Sequence, residues 1–234
     1  MGAPQLDAFL RRLASERRVL LLGGLAVIAH GLSRATKDAD IWLEPMPSAD
    51  EWAASLMAVW AEFPSLRLAR LSHWTPLATQ AEIAAAAIET GVVRVLGLEC
   101  PLDVFREPNE IEVEDFERMW AQSTLKDDGV RLLDPVDLLV SKEDTERDHD
   151  LADKRFLEAK IRTDFGARLA VASIEEARAL FARYADHVVC ERALTNPDPA
   201  VRALARGVIE ELAAAGDWFS RDVLARLERE RTGD

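Results

Sequence analysis

Cysteine is nearly absent from this 234-residue chain: Cys100 and Cys190 are the whole supply. Two thiols are too few for a disulfide framework or for a metal site built from cysteine alone. Long apolar runs are missing as well. A membrane span needs about 18 consecutive apolar residues, and the longest candidate, Val19 to Leu32, is broken by Gly23, Gly24 and His30. The opening segment MGAPQLDAFLRRLASERR lacks the basic-then-apolar order of a secretory signal, so a cytoplasmic protein with no membrane partner is expected. Positive charge is in deficit, with 29 Lys and Arg against 42 Asp and Glu and a formal net charge of −13. That balance argues against a nucleic-acid binder working by broad charge neutralisation. It leaves room for one local basic groove, for which Arg11, Arg12, Arg17 and Arg18 are the candidates. A Gly-x-Ser-x-Gly elbow and a Gly-Lys-Ser/Thr phosphate loop are also lacking, which leaves serine hydrolases and P-loop kinases without support.

What is present is a chain with 49% hydrophobic residues, enough for a real core. Leu6, Phe9, Leu10 and Leu13 mark an amphipathic helix over 4–17. The run Val19 to Leu22 suits a buried strand. A short helix is expected from Leu25 to Gly31, a strand from Ala39 to Leu43, a helix from Asp50 to Phe63 and a strand near Leu66 to Leu71. Val92 to Leu96 and Leu102 to Phe105, separated by Gly97 and Pro101, read as two antiparallel strands. After a short strand at 131–133, Asp134-Pro135 has the form of a helix cap followed by proline at the first position, with the helix running to Lys142. A further helix from Asp148 turns Leu151, Phe156 and Leu157 inward, and from about Gly166 the chain reads as wholly helical.

The chemistry concentrates in Leu22 to Leu43, LGGLAVIAHGLSRATKDADIWL. An apolar strand runs into Gly23-Gly24, and a helix-length spacer leads to Asp38-Ala39-Asp40. Alternation along a strand projects Asp38 and Asp40 together, and a divalent cation between them relieves their repulsion. Mg²⁺ accepts a few carboxylates plus phosphate oxygens. The glycines open the backbone to a phosphate chain. A third acid, Asp103, sits inside the apolar strand Leu102 to Phe105, where it lines an acidic site or serves as an edge-strand charge. Taken singly, the glycine pair also reads as a tight turn, and the Asp-x-Asp pair as a solvated face. His30 reads first as a structural residue. His73, His149 and His187 lack metal-ligand spacing, and Cys100 has no base partner.

In this order, the glycine pair, Asp-x-Asp and later apolar-Asp-apolar resemble the nucleotidyltransferase superfamily with a DNA-polymerase-beta-like palm. The stretch carrying Gly23, Gly24, His30, Gly31, Arg34, Thr36, Asp38 and Asp40 is similar to the AbiEii-like and MenT-like branch, which includes toxins of toxin–antitoxin systems. Segment 133–153, LDPVDLLVSKEDTERDHDLAD, places Lys142, Arg147, Asp150 and Asp153 on that family's phosphate-binding lysine, arginine and paired acids. Gly-Gly stands where Gly-Ser is commoner in the superfamily, and His149 where many relatives have lysine. The resemblance implies an α/β fold of the α+β type: a small mixed sheet flanked by helices over 1–160, then a helical region over 161–234. It implies transfer of a nucleotidyl group from an NTP to a hydroxyl on RNA, a protein or a small molecule, as an antibiotic-modifying enzyme or as a toxin with an antitoxin partner. A non-catalytic NTP- or partner-binding module is the remaining alternative. Asp38, Asp40 and Asp103 would hold Mg²⁺ or Mn²⁺, with Asp103 taking the acceptor proton. Gly23, Gly24, Arg34, Thr36 and Lys142 would hold the nucleotide, and Arg147, Asp150 and Asp153 are secondary candidates.

Overall fold

The computed structural model describes residues 6–108, 111–142 and 148–232. The chain is an α+β protein that divides into two compact units, Met1–Lys154 and Arg155–Asp234. The first unit runs α1 (Leu6–Ala14), β1 (Val19–Leu22), α2 (Gly23–Ala29), β2 (Ala39–Leu43), α3 (Ala49–Trp60), β3 (Arg67–Ala69), β4 (Pro76–Leu77), α4 (Gln80–Thr90), β5 (Val92–Leu96) and β6 (Leu102–Phe105). It continues through α5 (Phe116–Gln122), β7 (Thr124–Leu125), β8 (Arg131–Leu132) and α6 (Pro135–Val140) into α7 (Asp148–Leu169). The second unit carries the rest of α7, then α8 (Ile174–Arg183), α9 (His187–Ala193), α10 (Pro199–Ala214) and α11 (Trp218–Thr232).

The strands form one mixed sheet in the order β4-β3-β5-β6-β2-β1-β8-β7. β2–β6 and β1–β8 are parallel pairs, and the other neighbours are antiparallel. All four residues of β1 are buried, which is why its sequence shows no polar alternation. Burying each such side chain contributes roughly 1.5–3 kcal/mol. Along β2 the faces alternate, so Asp40 and Trp42 share one side. Trp42 meets Phe116 edge-on at 4.9 Å, and its indole N–H donates to the Arg106 carbonyl at 3.0 Å. The Asp40 face therefore passes from a polar end into an aromatic core within two residues.

Several boundaries differ from the sequence pattern. The helix expected at Leu25 starts on the glycine pair itself and ends at Ala29. Gly23 adopts φ +58°, which turns the chain from strand to helix with no linker. The helix expected to reach Lys142 ends at Val140, with Ser141 as its C-cap. On α7, Leu151 is 45% exposed, whereas Asp150 and Asp153 are buried. The acids take the inward face of these first turns because Lys142 and Arg34 meet them there; further along, Leu157 is buried as its apolarity predicts. In the second unit, Cys190, Ile209 and Val223 form a buried cluster with Phe181, Leu194 and Leu212 packed against it. Buried Asn196 donates to the carbonyls of Leu169 and Ala172 and accepts from the Asp198 amide. That tie explains the break between α9 and α10.

Candidate active site

Strand register builds the acid row. Arg94 of β5, Asp103 of β6, Asp40 of β2 and Leu22 of β1 are successive register partners across the sheet. Asp38 lies just before β2, and the Thr36 hydroxyl donates to its carbonyl at 3.0 Å. Asp40 is pushed up to about 7, first by burial and then by the charges of Asp38 and Asp103, against the pull of Lys142 and Arg94. The three acids expected from the sequence thus share one electrostatic neighbourhood. Their partners differ. Among the described residues no hydrogen-bond donor reaches the Asp40 carboxylate, whereas Arg94 holds both Asp103 oxygens, Nε to Oδ1 and Nη2 to Oδ2 at 2.6 Å each. This bidentate pairing holds the Arg94 guanidinium further into its charged form.

The glycine pair is explained by what lies above it. A Cβ on Gly23 would sit 1.9 Å from Asp40 Oδ2, and one on Gly24 would sit 2.6 Å from Arg34 Nη2 and 3.0 Å from Thr36 Oγ1. Side chains from 34–40 therefore rest on the backbone at the strand-to-helix turn, and any side chain at Gly23 would displace Asp40.

A buried charge network stands beside this row. Arg34 donates from Nε and Nη2 to the two oxygens of Asp153, each at 2.7 Å. Lys142 Nζ lies 2.9 Å from Asp153 Oδ2 and 3.1 Å from Asp150 Oδ1. The side chains of Asp153 and Lys142 are 0% and 9% exposed. Lys142 is thus held by two buried acids, Asp150 and Asp153. Arg147, Asp144 and Glu146 lie outside the described residues.

His30 and Cys100 add no reactive group to the row. His30 Nε2 donates to the Leu133 carbonyl at 2.8 Å, which ties the end of α2 to the segment before α6. The Cys100 thiol is pushed up, chiefly by burial and then by Asp38, which disfavours a thiolate nucleophile. Of the four N-terminal arginines, two have their charge taken up by acids: Arg12 pairs with Glu16 and Glu62, and Arg18 with Glu44 and Glu117. Arg94 was not singled out by the sequence, where it is one charge inside an apolar run; only the register with Asp103 reveals it.

The donor set suits a hard divalent cation. Asp38 and Asp40 offer carboxylate oxygens, and Mg²⁺ is commonly held by one or two carboxylates with water and substrate phosphates completing the shell. Among the described residues, no three acids, histidines or cysteines already form a metal-holding group. Asp103 is engaged by Arg94 instead.

No family model matches the chain, and no curated protein does. Among solved structures, the chain is similar to a presumed nucleotidyltransferase from H. pylori, with a TM-score of 0.41 and 16% identity over 90% of this chain and 94% of that one. A likeness of that size leaves the chemistry to be read from this chain's own residues. Among the described residues, no helix is long and apolar enough to cross a membrane.

Proposed function

We propose that the chain is a metal-dependent nucleotidyltransferase that moves a nucleotidyl group from an NTP to a hydroxyl acceptor. The observation that carries this reading is the register that sets Asp40 beside Asp103 and over Gly23, with Asp38 at the mouth of the same strand. Three acids with one poorly compensated carboxylate suit a cation and a phosphate chain better than they suit a core.

In this reading Asp38 and Asp40 hold Mg²⁺ or Mn²⁺. The cation, when bound, neutralises phosphate charge and lowers the pKa of the acceptor hydroxyl. Backbone N–H groups at the glycine turn face the β/γ phosphates. Lys142 and Arg34, oriented by Asp150 and Asp153, supply positive charge as it is needed on the leaving pyrophosphate. The acceptor oxygen forms a bond to the α-phosphorus, the bond to pyrophosphate breaks, and Asp103 accepts the hydroxyl proton directly or through water. The resemblance to toxin relatives extends the proposal to a toxin whose expression arrests growth unless an antitoxin partner is present.

The test is transfer of label from α-labelled NTPs to a cell extract that supplies RNA, protein and small-molecule acceptors. Mg²⁺-dependent labelling by the full chain, lost in Asp40→Asn, is the expected result. The acceptor fraction that takes the label separates a macromolecular enzyme from an antibiotic-modifying one. No labelling with any NTP contradicts the reading and leaves a binding module.

A further inference from the structure

While both of its oxygens accept from Arg94, Asp103 has its charge balanced and half of its acceptor sites taken, which weakens it as a cation ligand and as a proton acceptor. The pairing is set by the backbone, because the two residues are register partners on β5 and β6. Arg94 is the outer member, with a side chain 13% exposed against 7% for Asp103. Trp74 lies against the guanidinium, its ring centroid 5.1 Å from Cζ, and is itself 52% exposed. Trp74 belongs to the turn between β3 and β4, where His73 and Trp74 take successive left-handed conformations with φ 56° and 55°. Such backbone is costly for residues with a Cβ. Here it presents an aromatic face to the arginine from the open side.

We propose that Arg94 is a displaceable internal counter-ion: it holds Asp103 in the substrate-free protein, and leaves for a phosphate of the bound nucleotide when a divalent cation takes its place. The inference rests on the nucleotidyltransferase reading. Charge is conserved in the exchange, since one carboxylate–guanidinium pair becomes a carboxylate–cation and a guanidinium–phosphate pair. No covalent bond changes and no proton moves. A guanidinium fork matches two phosphate oxygens as well as it matches a carboxylate, and Trp74 offers it support on the outward side. The third acid then becomes available once metal and nucleotide are both present. This makes Arg94 a positioning residue for Asp103 and a phosphate ligand in the loaded site.

The test is calorimetric titration of the full chain with Mn²⁺ alone, and with Mn²⁺ plus a non-hydrolysable NTP, for wild type, Arg94→Met and Arg94→Gln. The glutamine variant keeps one donor toward Asp103 and serves if the methionine variant fails to fold. Both variants should bind Mn²⁺ alone more tightly than wild type, by about tenfold or more, because a repelling positive charge is gone and Asp103 is released to ligate. Both should bind the Mn²⁺–NTP complex more weakly than wild type does, because the phosphate has lost its guanidinium. A merely structural arginine would, when removed, leave the Mn²⁺–NTP complex bound no more weakly than by wild type, and that result also overturns the proposal. Folded variants that bind Mn²⁺ no more tightly than wild type overturn the proposal while leaving the nucleotidyltransferase reading intact, provided that wild type binds NTP with metal. Wild type that shows no metal-dependent nucleotide binding overturns both.

Discussion

Asp40 and Asp103 are register partners one strand apart, yet their surroundings give their charges opposite consequences. Asp40 is raised from 3.8 to about 7 by burial and by neighbouring acids. A carboxyl raised in this way binds its proton more tightly in the folded state. Its stability contribution is fully present below about pH 3.8 and is lost as pH rises through about 7. The accumulated loss at pH 8 is on the order of 4 kcal/mol. Asp40→Asn should therefore raise the melting temperature of the metal-free protein at pH 8, with a gain that shrinks toward pH 5. A gain independent of pH, or a loss, would contradict the electrostatic account of this residue. Asp103→Asn should act in the other direction. It strips Arg94 of its charged partner at a largely buried position, and a loss of about 1–3 kcal/mol in urea unfolding is expected. The Asp-x-Asp pair and the later acid look equivalent in sequence; the difference comes from Arg94, which the register alone brings to Asp103.

At the scale of elements, the charge network joins the loop after α2, the end of α6 and the start of α7 through Arg34, Lys142, Asp150 and Asp153. Asp153 is the centre, because it is fully buried and meets both cations. Asp153→Asn should destabilise the protein by about 3–5 kcal/mol, as expected when a buried pair loses one partner. Lys142→Met should also lower the urea midpoint clearly, whereas an exposed pair would contribute under about 1 kcal/mol. An unchanged midpoint in both variants would place this cluster on a solvated surface. The strands that build the acid row were legible in sequence: β2 at Ala39–Leu43, β5 and β6 as apolar runs at 92–96 and 102–105, and β1 as Val19–Leu22. The edge strands Pro76–Leu77 and Thr124–Leu125 were not, since two residues carry no period. Nor was the inward face of α7, where Asp153 occupies a place that the apolar pattern assigned to Leu151. Site residues that follow one another in sequence could be found by pattern. Those assembled across strands, Arg94 above all, and those ordered by buried charge required the fold.

Across the whole molecule, the net charge of −13 and the pairing of Arg12 and Arg18 with glutamates leave little surface for a long polyanion. The intact protein should show no retention on an unspecific polyanion such as heparin at physiological salt, and strong salt-sensitive retention would contradict this distribution of charge. A nucleotide is a different matter, because its few phosphates need one compact cationic wall and one cation. The most direct test of the central claim is calorimetry of a non-hydrolysable NTP binding to the full chain, with and without Mg²⁺, for wild type and Asp40→Asn. Saturable binding that requires Mg²⁺ and is lost in a folded Asp40→Asn protein is the predicted result. Binding indifferent to both Mg²⁺ and Asp40, or no binding under either condition, would contradict it.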